Sequence, residues 1–403
     1  MKRMMFMLLF VFMSCQFVLA QVRYVSSPQQ VKSSELIVVG PWNRSADTNP
    51  VATVVGKSDG SNITVEVREV LRGYAFGASI SAQWNLLSKG YVPESGTNAI
   101  WILTRSTNSK MYVVESANGV MPIQDRDNVM RVIASVNKES GKKGACIAAH
   151  EDFDWKKRLS LANVRWFYTW NHQPPPGIPA NVEFVPMIWG LNDWGRMGLQ
   201  RIENGKARTK YRHLLGFNEP DGADQANLSV EKALGEWQRL MSSGLRLGSP
   251  AAVHADREWL QKFMTEVEAK RYKVDFIAVH WYGEPRMEVF FDFLERTHKL
   301  YNRPIWITEF AVADWSAGGS KANQHSPEFV ADFMTRALSL LEGLNYVERY
   351  AWFSAPQDHA KYGTSALFKK DGTLTDLGKL YAAFPTTANK IPVVPLKPDI
   401  RSH

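Results

Sequence analysis

The sequence predicts an α/β chain, a (β/α)8 TIM barrel preceded by a small all-β domain of barrel or sandwich type. Three observations carry that expectation. From Gly144 onward, short apolar runs alternate with amphipathic segments, the rhythm of a parallel sheet wrapped by helices. Those runs number eight, the count that closes a barrel. Ahead of them, residues 35–119 hold six β-like runs separated by turn-rich pieces such as KSDGSN, which reads as a small strand-built domain.

The elements follow in chain order. MKRMMFMLLFVFMSCQFVLA places Lys2 and Arg3 ahead of an apolar stretch that ends at Val18, Leu19 and Ala20, the layout of a signal peptide over residues 1–20. It is too short to span a membrane. Lipid attachment would need cleavage ahead of Cys15, which Phe12, Met13 and Ser14 fit poorly. The expected product is therefore secreted, extracellular or periplasmic, in preference to a form lipid-anchored through Cys15. Without the leader, Cys146 is the sole cysteine, so no internal disulfide forms and stability must come from burial.

Over 22–135 the strand-like runs are ELIVVG, ATVVG, NITVEVREVL, ASISAQWNL, AIWILTRS and KMYVVES, followed by the helix-like RDNVMRVIASV. The cluster NKESGKKG predicts a linker over 136–143. The barrel is expected over 144–385, with strands ACIAA, VRWFYTW, VEFVPMIW, HLLGFNE, LRLGSPA, FIAVHWY, PIWITEF and RYAWFSA. Ser229, Asp256 and the Ser326–Pro327–Glu328 run are expected helix starts. A Pro-rich tail fills 386–403.

Composition excludes several classes. The formal charge of +8 is dispersed through helical segments, with GKKG at 141–144 the densest spot. A nucleic-acid surface would show a basic stripe with stacking aromatics, so neither a nucleic-acid partner nor a membrane span is expected. The histidines show no metal spacing, since HEDFD at 150 lacks a second His at i+4 and a partner cysteine. GKKGA lacks the spacing of a phosphate loop, and there is no Gly-x-Ser-x-Gly elbow. No metal and no cofactor are expected.

Active groups of such a barrel gather at the C-terminal ends of its strands. Glu219 ends the fourth strand candidate and Glu309 the seventh. Alternation groups Leu215, Phe217 and Glu219, and likewise Ile305, Ile307 and Glu309, so both carboxylates are expected to project inward above packed layers. Two carboxylates across one cleft suit glycosidic bond cleavage, one protonated for the leaving oxygen and one ionised. The competing readings are a loop acid before Pro220 and a strand-end acid paired to an arginine.

LLGFNEPDGADQANLSVEKA, RLGSPA, VDFIAVHWYG and PIWITEFAVADW, occurring in that order, together resemble glycoside hydrolase family 128, the endo-β-1,3-glucanase barrels of a large retaining clan. VRWFYTWNHQPP and VEFVPMIWG extend the resemblance over about 144–385, and the first domain is left unexplained. The resemblance implies Glu219 as acid/base and Glu309 as nucleophile, with carboxyl groups about 5–5.5 Å apart and a covalent glycosyl-enzyme intermediate. It implies that Asn218 hydrogen-bonds the sugar 2-hydroxyl and that Tyr282 orients the nucleophile. Alternation places His280 with Tyr282, and both are expected in the binding site as a hydrogen-bonded pair. Sugar faces stack on indoles, which makes Trp170, Trp189, Trp281, Trp315 and Trp352, at expected strand ends, candidate platforms, whereas Trp155, Trp237 and Trp259 belong with helical segments and the core.

The expected function is a monomeric, secreted retaining endo-β-1,3-glucanase acting on β-1,3-glucan. The alternatives are a non-catalytic glucan-binding or wall-adhesion protein and a glycosidase of other linkage, β-1,4, mixed-linkage glucan or galactan. Fold alone does not separate them.

Overall fold

The computed structural model describes residues 34, 36–44, 61–73, 75, 79–84, 93, 95–105, 112–114, 120–148, 154–203 and 210–384. The expected leader with Cys15, the tail at 386–403, the run ATVVG and positions 150–153 of HEDFD lie outside them. The chain divides into two units. The described part of the first falls within 1–71 and 77–135, and the second holds 72–76 and 136–386.

The first unit is built from β1 (Leu36–Gly40), β2 (Trp42–Arg44), β3 (Ser61–Glu66), β4 (Glu69–Arg72), β5 (Ser79–Trp84), β6 (Ala99–Arg105), β7 (Tyr112–Val114) and β8 (Val120–Pro122). The sheet runs β2-β3-β5-β7-β6-β1-β4, with β8 on β6. β5 and β7 pair in parallel, and β1 and β6 antiparallel. The run NITVEVREVL is two strands, broken at Val67–Arg68, where Arg68 N donates to Val39 O. Leu36, Ile37 and Val38 are all fully buried, so β1 is covered on both faces and needs no polar alternation. Helix α1 (Arg126–Glu139) buries Val129, Ile133 and Val136, one stripe at helical spacing. It also corrects the expected linker: the helix continues through Asn137, Lys138 and Glu139, and only residues 140–142 precede the next strand.

The second unit alternates as expected: β9 (Lys143–Cys146), α2 (Trp155–Ala162), β10 (Trp166–Tyr168), β11 (Glu183–Phe184), α3 (Asp193–Ile202), β12 (His213–Leu214), α4 (Val230–Ser242), β13 (Arg246–Leu247), α5 (Glu258–Ala269), β14 (Ile277–Trp281), α6 (Met287–Tyr301), β15 (Ile305–Phe310), α7 (Pro327–Gly343), β16 (Val347–Phe353) and α8 (Asp376–Ala383). Six strands form one sheet in the order β11-β10-β9-β16-β15-β14, and β12 and β13 form a pair. These strands pair in parallel throughout. Single parallel bridges, Met187–Leu215 and Gly248–Phe276, lie just outside the named strands. The unit is thus an α/β fold on a parallel sheet. β11, β12 and β13 are only two residues long because Pro186, Gly216 and Gly248 interrupt their apolar runs.

The strands separate two layers of core. Phe167, Ile277, Val279, Ile305, Ile307 and Trp352 pack with the helices, while Trp166, Tyr168, Met187, Leu215, Phe276 and Trp306 pack together on the opposite face. That inner layer is crowded with large rings, and glycine makes room for them. A Cβ on Gly144 would lie 2.1 Å from the Trp166 indole, and one on Gly248 2.5 Å from the Phe276 ring.

Ser229 and Ser326 cap α4 and α7 by accepting from Lys232 N and Phe329 N at 3.3 and 3.2 Å. Asp256 does not cap α5. Arg257 takes that place without a side-chain bond, and the Asp256 carboxylate pairs with Arg296 at 3.0 Å. Trp155 stacks on Phe167, and Trp237 and Trp259 both pack on Phe263, as expected of core indoles.

The N-terminal ends of the inner strands carry a belt of paired charges. Glu183 meets His213 Nδ1 and Arg349 Nη2, both at 2.6 Å. Arg246 makes two bonds to Glu348, 2.6 and 2.8 Å, and Trp306 Nε1 donates to the same carboxylate at 2.9 Å. The Arg349 guanidinium lies 4.2 Å from the Trp306 ring centre, a cation on a π face. Burial alone would raise the Glu183 carboxyl, but the His213 and Arg349 donors outweigh it and hold it at about 2.

Candidate active site

Glu309 reaches the inner face through a break in the β15 ladder. The sequence pattern groups it with Ile305 and Ile307, yet those two pack against the helices while Trp306 lies inside. Unbroken alternation would therefore turn Glu309 outward. Between β14 and β15 the register jumps: Val279 pairs with Ile307, but His280 pairs with Glu309, so Thr308 is the extra residue. That β-bulge re-aims the carboxylate inward. Leu215 and Phe217 likewise part company, Leu215 inside and Phe217 outside against Trp237.

Once turned in, Glu309 is 5% exposed and densely held. Its Oε1 accepts from Tyr168 OH at 2.8 Å and Trp170 Nε1 at 2.7 Å, and its Oε2 from Tyr282 OH at 2.6 Å. All three donors are neutral. They stop rotation of the carboxyl without adding a fixed charge beside it.

Glu219 stands on a turn after β12 with φ +42°, a left-handed conformation that a non-glycine residue adopts at a cost. The turn is fastened by Asn218 N to Trp189 O at 2.9 Å, Glu219 N to Ala251 O at 2.8 Å, and Val253 N to the Asp221 carboxylate at 2.8 Å. The Glu219 carboxylate lies 2.8 Å from His280 Nδ1. Asn218 is buried, gives Nδ2–H to Gln225 Oε1 at 3.2 Å, and leaves its buried Oδ1 without a partner.

His280 joins the two acids. Its side chain is 1% exposed, with Nδ1 at Glu219 and Nε2 3.4 Å from Glu309 Oε1. The second contact is one of charge, since Nε2 makes no aligned hydrogen bond. Burial works against the imidazolium, but Glu309, Glu219 and Asp221 outweigh it and raise the His280 pKa. Burial and the Glu309 charge push the hydroxyls of Tyr168 and Tyr282 well above the usual phenol range, so both remain donors. The expectation that His280 binds substrate is corrected: its ring is enclosed between the carboxylates.

Glu219, Glu309, Asn218, Tyr282, His280 and Trp170 come together. Trp170 acts through its indole N–H on Glu309 as well as offering its ring, and its own φ of +55° turns it at the strand end. Trp189 packs against the inner layer beside Asn218. Trp281 and Trp352 do not reach the site. Trp281 alternates outward from His280 and stacks on Phe333 at 5.5 Å, under the helices. Trp352 is 1% exposed, packs on Phe310 at 5.0 Å and spends its N–H on Ser365 O. Both lie on the wrong face of their strands.

Three aromatic residues at the site are not among those the sequence pattern singles out. Tyr168 lies two positions before Trp170, and Phe353 two positions after the inward Ala351, so alternation holds the signal for both. Phe353 packs edge-on to Trp170, Tyr282 and Tyr362 at 6.2, 5.6 and 5.5 Å. Tyr362 comes from a loop and gives no periodic signal. Trp315 extends this wall, 58% exposed, with Nε1 bound to Tyr282 O at 2.9 Å. Its loop is pinned by Asp314, which accepts from Ser316 and Gln324.

Parallel α/β architecture with two rim carboxylates and an aromatic wall defines a class, and residues 144–381 match the family model described as glycosyl hydrolase catalytic core. The endo-β-1,3-glucanase of family 128, subgroup I, from Amycolatopsis mediterranei, solved with laminarihexaose, is 38% identical with a TM-score of 0.53, covering 60% of this chain and 99% of that one. Its complex with laminaritriose gives 39% identity at the same TM-score and coverage. Alkali-sensitive linkage protein 1 of Schizosaccharomyces pombe is 30% identical over 254 residues, 60% of this chain and 44% of that protein, so the match spans less than half of this relative. The chain belongs to glycoside hydrolase family 128. Among the described residues no helix is long and apolar enough to cross a membrane.

Proposed function

We propose that this protein is a secreted, retaining endo-β-1,3-glucanase, with Glu219 as acid/base and Glu309 as nucleophile at the rim of a closed (β/α)8 barrel. The observation that carries the reading is the meeting of both carboxylates at one buried imidazole. Barrel closure is supported by the Met187–Leu215 and Gly248–Phe276 bridges, which lie where the six-stranded sheet and the β12–β13 pair would join. The leader supports secretion. Relatives solved with laminari-oligosaccharides support the substrate class.

In the first step Glu309 Oε attacks the anomeric carbon, the bond to the glycosidic oxygen breaks, and the proton of Glu219 passes to that oxygen. Water then attacks the same carbon, Glu219 takes its proton, and the ester to Glu309 opens. Tyr168, Trp170 and Tyr282 hold Glu309 in line. The unpartnered Oδ1 of Asn218 is available to a sugar hydroxyl, and Trp170, Phe353, Tyr362 and Trp315 offer ring faces to the pyranose planes.

The test is laminarin hydrolysis followed by proton NMR of the new reducing ends. Internal cleavage giving the β-anomer first is expected. The α-anomer first would contradict retention, and turnover of cellulose, lichenan or galactan in place of laminarin would reassign the linkage. Binding of laminarin with no new reducing ends would make the protein a glucan-binding module.

A further inference from the structure

The two carboxylates are held unequally. Glu309 takes three neutral hydrogen bonds, whereas among the described residues the Glu219 side chain has His280 as its hydrogen-bonding partner. His280 itself is sealed from the cleft and touches both acids. We propose that His280 is a protonated positioning residue shared by the pair: Nδ1–H holds one oxygen of Glu219 so that the other faces the glycosidic bond, and the imidazolium neutralises whichever acid is negative in each half-reaction. The proposal rests on the roles given above to Glu219 and Glu309.

Charge balance explains why one ring can serve both steps. Before attack, Glu309 is ionised and Glu219 protonated, so with the imidazolium the triad is neutral. After attack, Glu309 is an uncharged ester and Glu219 is ionised, and the triad is neutral again. The negative charge has moved from the Nε2 side of the ring to the Nδ1 side, and no counter-ion has had to move in a site where uncompensated charge is costly. The charged groups facing the ring are Glu219 and Asp221 from the turn after β12 and Glu309 from β15. The hydroxyl of Tyr168 on β10 donates to the same Glu309 oxygen, Oε1, that the ring approaches, and that of Tyr282 after β14 donates to Oε2. Together the acids keep the ring protonated as pH rises through its ordinary value.

With the cation beside both carboxyl groups gone, both limbs of the kcat/KM profile on laminarin should move to higher pH in His280→Gln, by about one unit or more. The loss should fall on kcat, about 100-fold, with KM little changed, because the ring does not touch the sugar. Limbs that stay in place overturn the proposal. Should His280→Gln not fold, 15N NMR of histidine-labelled wild-type protein decides: both ring nitrogens protonated at about pH 7.5, above the ordinary imidazole value, is expected, and one bare nitrogen there overturns it. Lack of turnover by the wild-type chain would count against the glucanase reading alone, since the histidine spectrum is read with or without activity.

Discussion

Acidic side chains sit at both ends of the inner strands and are held in opposite ways. At the N-terminal ends, Glu183 and Glu348 face Arg349, Arg246 and His213. At the C-terminal ends, Glu309 is held by two phenols and an indole, and Glu219 by a histidine, with no lysine or arginine donating to either among the described residues. A fixed cation locks its partner in the ionised form and so serves stability. At the other end neutral donors fix Glu309, and Glu219 shares one imidazole with it in place of a guanidinium of its own, so a proton can move between the two sides as the proposed acid and nucleophile chemistry requires. The same residue type is therefore held for stability at one end and, in the proposed function, for reaction at the other.

Arg349→Ala should sharpen that contrast most. It strips Glu183 of a buried partner and should destabilise the fold by about 3 kcal/mol, read as a fall in the denaturation midpoint, while folded protein keeps its kcat. A smaller effect belongs to the other end: Tyr168→Phe removes one of three donors to Glu309 and should lower kcat about 10-fold through the loss of one hydrogen bond to a charged group, with an unchanged melting temperature. If Tyr168→Phe lowers stability and leaves kcat alone, the two ends are not divided as described. The mildest effect is with pH. Glu183 is held at about 2, below its ordinary 4.5, so its stabilising contribution is whole above about pH 4.5 and is lost as pH falls toward 2. Equilibrium unfolding of Glu183→Gln should show a weaker pH dependence across that window than the wild type.

The sequence exposes the parts that repeat or that end an apolar run. Eight strand-like runs appear as parallel strands, and Glu219 and Glu309 stand at the ends of two of them. Alternation puts His280 and Tyr282 on one face because β14 is regular up to the rim, but the expected bond between them is absent: His280 bonds Glu219 and Tyr282 bonds Glu309. It fails at Thr308, where a single inserted residue reverses every later side chain, so the pattern puts Glu309 inside for the wrong reason. It also fails for Trp281 and Trp352, since an indole suits either face of a strand covered on both sides. Trp315 is legible as an indole following the seventh strand candidate, whereas Tyr362 comes from a loop whose position no local pattern records.

The central claim is that Glu309 attacks the sugar while Glu219 moves the proton. It is tested most directly by incubating the protein with a 2-deoxy-2-fluoro-laminaribiosyl fluoride, which forms the glycosyl-enzyme ester and hydrolyses it slowly, and then mapping the labelled peptide by mass spectrometry. A single disaccharide adduct on Glu309 is the predicted result. An adduct on another carboxylate, or a fully active enzyme that never carries one, would contradict it.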